Sequence, residues 1–283
     1  MKRLSNEAFT LIEMSIVLVI IGLIVGGVLA GQDLISAAAA RSQITQIEKY
    51  NRAVNTFKDK YRALPGDLDA VTAANFGFAP RGSLQGQGDN NGVIEGYWAG
   101  NNNNGFYEHA GETLMFWVDL SQASLIDGSF NTASATINPG ANTTGTFISS
   151  YLPAANIGQG NYIYVWSGGI NGGNGINYFG VSAITSLGRG LPDSGATIPV
   201  RQAYNIDKKI DDGFPQSGNV VAQYLNHLVN ATFPAWVGAS DNSATPASAT
   251  TCYDNNGVQG TQKYSFGYNN GTGSNCALSF KFQ

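Results

Sequence analysis

From residue 9 to residue 29 the chain is apolar at every position except Thr10, Glu13 and Ser15, a run of 21 residues. At the rise of an α-helix this run reaches roughly 30 Å, the thickness of a bilayer core. The pattern then changes without a breaker. Ala37, Ala38, Ala39 and Ala40 are followed by Ile44, Ile47, Tyr50, Val54, Phe57, Tyr61 and Leu64, spaced three or four apart. That spacing is one apolar stripe on a helix, and Pro65-Gly66 ends it. One helix is therefore predicted from about Thr10 to about Tyr61. Its first half is apolar all round, and its second half is amphipathic. Gly22, Gly26, Gly27 and Gly31 either loosen the helix or let another helix approach closely, and both readings stand.

Beyond Pro65 the pattern breaks up. A stretch rich in Gly and Asn runs to about Phe106. Residues 108–121 read as a second helix with Leu114, Trp117, Val118 and Leu120 for burial. From residue 130 β-like runs alternate with turns. Residues 162–166 and 176–181 flank a Gly/Asn loop as a hairpin. Residues 199–211 read as a helix with Val200, Ala203, Tyr204, Ile206 and Ile210 on one face, and Pro199 suits its first turn. Residues 264–268 and 276–282 read as closing strands. The expected class is α+β, a long N-terminal helix packed on a β-rich head.

Lys2 and Arg3 precede the apolar run, so the N-terminus should stay cytoplasmic and the rest be exported. A secretory signal peptide and a plain signal anchor are the ordinary alternatives. Neither accounts for Glu13, since a carboxylate this deep costs about 2.5 to 3.5 kcal/mol on insertion scales. Retaining it implies a partner.

The residues Ala8-Phe9-Thr10-Leu11-Ile12-Glu13 resemble the precursor motif of the type IV pilin-like family, with Ala8 where the family usually has Gly. The resemblance implies a leader of residues 1–8, cut between Ala8 and Phe9 by a dedicated prepilin peptidase that then N-methylates Phe9. It implies a helix over residues 9–64, transmembrane at 9–29 in the monomer, and an exported head over residues 65–283. The expected partners are copies of the chain in a helical filament, an inner-membrane assembly platform and, before assembly, lipid. Between staggered subunits the cationic amine of Phe9 would meet Glu13 of a neighbour, an ion pair that is costly to leave open in hydrocarbon. Leu64-Pro65-Gly66-Asp67, the run from Glu112 to Gly128 and the stretch from Ile206 to Ala222 resemble a subset of the same family.

The expected function is structural: a subunit of a type IV pilus, with a type II secretion pseudopilin as the alternative. A membrane-anchored adhesin that never polymerises is the rival of another class. The inner membrane, then a cell-surface or periplasmic filament, is the expected location.

Composition adjusts this picture in a few places. Hydrophobic residues make up 43% and charged residues 12%, with 36 Gly, a mix suited to a β-rich domain with long polar loops. Without Lys2, Arg3 and Glu7 the chain keeps 13 basic and 18 acidic residues, net −5, and no nucleic-acid binding is expected. Cys252 and Cys276 are the only cysteines. In an exported body they are expected to form a disulfide, the alternative being two buried free thiols.

Candidate chemistry is sparse, and an enzyme is not expected. His109 and Glu112 have helical spacing, which offers two metal ligands or a solvated helix face, and the solvated face is expected. Aligning Gly92 with the fixed Gly of a calcium loop puts Gln87 first and Trp98 twelfth, which is not an EF-hand. A looser calcium site of Asp89, Asn91 and Glu95 competes with a plain Asn-Gly turn. Asp207, Asp211 and Asp212 form a second acidic cluster, read as helix-end solvation or as a cation site.

Overall fold

The structure, a computed structural model, describes residues 10–97, 110–137, 139–140, 143–168, 174–189, 191–226, 235–236, 247–255 and 262–282. Helix α1 runs Leu11–Tyr61. After it come α2 (Ala70–Phe76), α3 (Glu112–Gln122), β1 (Tyr162–Ser167), β2 (Asn177–Arg189), β3 (Leu191–Gly195), β4 (Ile198–Pro199) and α4 (Val200–Ile210). Short strands close the chain: β5 (Val220–Val221), β6 (Gln223–Tyr224), β7 (Ala235–Trp236), β8 (Tyr253–Asp254), β9 (Lys263–Tyr264), β10 (Ser274–Cys276) and β11 (Leu278–Lys281). The layout is α+β and pilin-like.

Two units divide the chain, Met1–Ala39 and Ala40–Gln283. In the first, the large apolar side chains of α1 from Leu11 to Ile35 are exposed, and this helix is long and apolar enough to cross a membrane. In the second, the remainder of α1 buries one stripe: Ala40, Gln43, Ile44, Ile47, Tyr50, Ala53, Val54, Phe57 and Tyr61. The body thus begins at Ala40, inside the helix, because that stripe is part of its core.

The core is built around aromatic rings. Tyr50 meets Trp117 edge-on at 5.1 Å, Phe57 lies 5.5 Å from Phe78, and Phe116 and Phe179 are 5.8 Å apart. Such pairs add to the area they bury. Beneath them lies a five-stranded antiparallel sheet ordered β1-β2-β11-β5, with β3 on the far half of β2. The β1–β2 hairpin pairs Tyr162 with Ser182 and Trp166 with Tyr178. A polar seam fixes the register of α1: Gln46 Nε2 donates to the Ala154 carbonyl (2.9 Å), while Asn156 N–H and Ile157 N–H donate to Gln46 Oε1 (2.8 Å) and Gln43 Oε1 (3.0 Å).

The structure corrects three boundaries. The second helix starts at Glu112, because Gly111 precedes it at φ 63°, where a Cβ would lie 2.0 Å from the Gly86 carbonyl oxygen. Strand β2 continues to Arg189, since its far half pairs with β3. The strand expected over residues 264–268 is only the two-residue β9, and a 3-10 turn at Asn269–Gly271 follows.

Candidate functional site

The Ala8-Phe9 junction lies outside the described residues, so the N-terminal site begins at Thr10. The Thr10 carbonyl accepts the first helical bond, from Met14 N–H (3.2 Å), which makes Thr10 the N-cap of α1. Glu13 is then the third helical residue. Glu13 N–H donates to Thr10 Oγ1 (3.3 Å), and Thr10 N–H donates back to Glu13 Oε2 (2.8 Å). The Thr10 hydroxyl donates to the same Oε2 at 2.9 Å. This is a capping box. Ser15 Oγ donates to the Ile12 carbonyl at 2.8 Å. The polar side chains in this apolar run are therefore engaged within the helix that carries them.

A second site follows the end of α1. Gly66 stands at φ 87°, and a Cβ there would lie 2.4 Å from the Glu112 carbonyl oxygen, so the turn requires glycine. Gly66 N–H donates to Asp119 Oδ2 (2.6 Å), and Asp119 pairs with Arg81, both side chains fully buried. The next residue, Asp67, is buried. Its Oδ2 accepts Gly92 N–H (2.8 Å), its Oδ1 accepts Asn91 N–H (3.2 Å), and its carbonyl accepts Asn90 N–H (2.9 Å). Glu112, also buried, accepts Gly88 N–H at Oε1 (2.9 Å) and Glu95 N–H at Oε2 (2.8 Å). Two buried carboxylates thus fasten the loop from Gly88 to Glu95 through its amides. Asn177 ties the same loop to the sheet by donating to the Gly92 carbonyl and accepting from Ile94 N–H.

Asp67, Asp89 and Glu112 each bring a carboxylate oxygen within 4.8 Å of the others. Burial pushes Asp67 up to about 7, with the Asp89 charge adding to it against the amide bonds. Burial and then the Asp67 charge raise Glu112 well above the usual carboxylate range. An all-oxygen set of this kind suits a hard cation such as calcium. Of the two carboxylates in the trio expected from sequence, Asp89 belongs to this cluster and Glu95 does not. Asn91 turns Oδ1 onto Val93 N–H (2.8 Å), and Glu95 accepts from Gln85 Nε2 (2.8 Å) and Asn91 Nδ2 (3.3 Å). The meeting of Asp67 with Glu112 escaped the sequence reading because 44 intervening residues separate them. Their one local signal is that each flanks a structural boundary, the Pro65-Gly66 turn and the start of α3. Glu112 is not on a solvated face as expected, and His109 lies outside the described residues.

The second acidic cluster is also more than helix-end solvation. Asp207 is buried, accepting from the Tyr264 hydroxyl at Oδ2 (2.7 Å) and from Gly213 N–H at Oδ1 (3.1 Å). Burial raises it to about 7, and Asp212 and Asp211 add to the shift. Asp212 accepts from Phe214 N–H (2.8 Å) and Ser217 Oγ (2.7 Å), and Asp211 accepts from Val220 N–H (3.3 Å). Further along the chain, a disulfide joins Cys252 to Cys276, both fully buried, next to β8 and in β10.

Residues 3–29 match the family model of the prokaryotic N-terminal methylation motif. No curated protein and no solved structure matches the chain. The matched segment holds the apolar run and the Thr10–Glu13 box, and over this segment the chain is similar to type IV pilin-like prepilins. That motif family is structural rather than enzymatic.

Proposed function

We propose that this chain is a structural subunit of a type IV pilus. Its leader is cut between Ala8 and Phe9 by a prepilin peptidase, Phe9 is N-methylated, and the head is exported while residues 9–29 stay in the inner membrane. An assembly platform then draws subunits into a homo-oligomeric filament. The observation that carries this reading is the exposed apolar surface of α1 over residues 11–35. A surface that large needs a continuous apolar partner, supplied by lipid before assembly and by neighbouring helices afterwards. Glu13 receives the Phe9 amine of a neighbour and sets axial register. The subunit does no catalysis.

A type II secretion pseudopilus uses the same assembly chemistry and is the second reading, favoured by the same motif. The test is Glu13→Ala expressed as the only copy, comparing sheared filaments with the membrane pool. Loss of filaments with the mature chain still in the membrane is expected. Normal filament yield would contradict the register mechanism.

A further inference from the structure

Charge is scarce in this chain, at 12% of residues, yet it is concentrated on one surface. Residues 41–62 hold six Lys and Arg against two Asp and Glu, net +4, whereas residues 63–283 hold seven against 14, net −7. Within α1 the basic group occupies the surface left over by the buried stripe. Arg41, Arg52, Lys58 and Lys60 are exposed, as is Arg62 just past the helix end. Arg41 and Arg52 are eleven residues apart, close to three full turns, and so share one line along the helix. Among the described residues the ion pairs are Lys49 with Asp127 and Arg81 with Asp119, and neither engages these five. Lys60 instead sits over the Tyr61 ring, 4.9 Å from its centre. On the head, Asp89 and Asp212 are exposed and likewise join no ion pair among the described residues.

We propose that the ridge from Arg41 to Arg62 is a docking surface for the acidic head of a second copy of this chain. The proposal rests on the filament reading above and adds to it a polar contact outside the apolar half of α1. Two observations select this partner. The first is sign. Residues 63–283, net −7, complement the ridge at net +4, so ridge attracts head while head repels head. A free polyanion would meet that same repulsion from the head. The second is length. From Arg41 to Lys60 the ridge extends roughly 28 Å along the helix. An anionic leaflet acts within a Debye length, about 8 Å, and would reach only one end of it. A neighbouring copy laid alongside α1 covers the whole ridge, and the same helix carries the apolar half assigned to the filament core. Single exposed ion pairs are weak and screened by salt. The ridge therefore acts through several charges together, and its effect falls on orientation and partner choice.

The test reverses one ridge charge and, as a control, one exposed charge elsewhere. Tagged variants are co-expressed with untagged wild-type chain. The measured quantity is tagged chain in sheared filaments divided by tagged mature chain in the membrane, so processing defects cancel. Arg52→Glu should lower this ratio about fivefold, because repulsion replaces attraction. Arg52→Lys should restore it. Lys263→Glu, an exposed reversal in β9, should leave it unchanged. Carbodiimide treatment of wild-type filaments grown from mixed heavy- and light-isotope cells supplies a second readout. Amide links should join Lys58 or Lys60 of one copy to a head Asp or Glu of another, and the detergent-solubilised monomer should lack them. An unchanged ratio for Arg52→Glu, an equal loss from Lys263→Glu, or filaments without such links would overturn the proposal. So would unchanged incorporation of Arg52→Glu combined with lost binding to phosphatidylglycerol vesicles or DNA, which would assign the ridge to that polyanion. Absence of filaments from the wild-type chain would remove the filament reading itself, so the two failures are told apart.

Discussion

The two halves of α1 share one unbroken hydrogen-bond ladder but have opposite surfaces. Residues 11–35 expose Leu, Ile and Val on every side, whereas residues 40–61 show a single stripe whose members are buried. The second half is satisfied by its own chain, through ring contacts and the Gln43 and Gln46 seam. The first half is left for something outside the chain. Helix formation is thus common to both halves, and only the distribution of apolar side chains divides anchor from scaffold.

This contrast is sharpest under substitution. Phe57 is fully buried and lies 4.5 Å from Tyr61 and 5.5 Å from Phe78. Phe57→Ala should cost about 3 to 5 kcal/mol. Leu18→Ala, on the exposed half, should leave the unfolding midpoint of the head unchanged and appear only as filaments that shear more readily. Thermal unfolding of the detergent-solubilised chain, followed by near-UV circular dichroism, separates the two. A similar midpoint loss from both would erase the distinction between the halves.

A smaller effect is expected at the far end of the chain. Cys252→Ser opens a loop with a sequence separation of 24 and should cost about 3 kcal/mol on the loop-entropy account, with membrane insertion unaffected. Gly66→Ala should cost about 1 to 3 kcal/mol, because the positive φ and the contact with the Glu112 carbonyl oxygen strain the turn that joins α1 to the loop. Both are read as midpoint shifts in the same unfolding measurement.

The buried carboxylates make the stability pH-dependent. Asp67 rises from its ordinary 3.8 to about 7 in the folded chain. Between those values the folded form holds a proton that the unfolded chain has released, so stability should fall as pH rises from about 4 to about 7, and the raised Glu112 acts in the same direction. Asp207, also raised to about 7, acts in the same direction. Millimolar calcium at pH 8 should restore part of the loss if Asp67, Asp89 and Glu112 hold the ion, and Glu112→Gln should abolish that calcium response. A midpoint indifferent to calcium would exclude the site.

How far the sequence revealed this depends on the range of each contact. The apolar run, the stripe from Ala40 to Tyr61 and the β1–β2 hairpin rest on local periodicity and were readable. So was the Thr-x-x-Glu spacing of Thr10 and Glu13, yet the insertion cost of Glu13 directed attention to another subunit rather than to its own helix end. Asp67 and Glu112 meet only because α3 folds back on the turn after α1, a tertiary event that no local pattern encodes. Gly111 hid the true start of α3 because its positive φ answers to a distant carbonyl, that of Gly86.

The central claim is that the exposed half of α1 becomes filament core after processing. Intact-mass and peptide analysis of sheared surface filaments tests it most directly. The account predicts this chain as a filament component, beginning at Phe9 with a methylated amine. A chain that begins at Met1, or beyond the apolar run as a cleaved secretory signal peptide would leave it, or that stays wholly in the membrane fraction would contradict it.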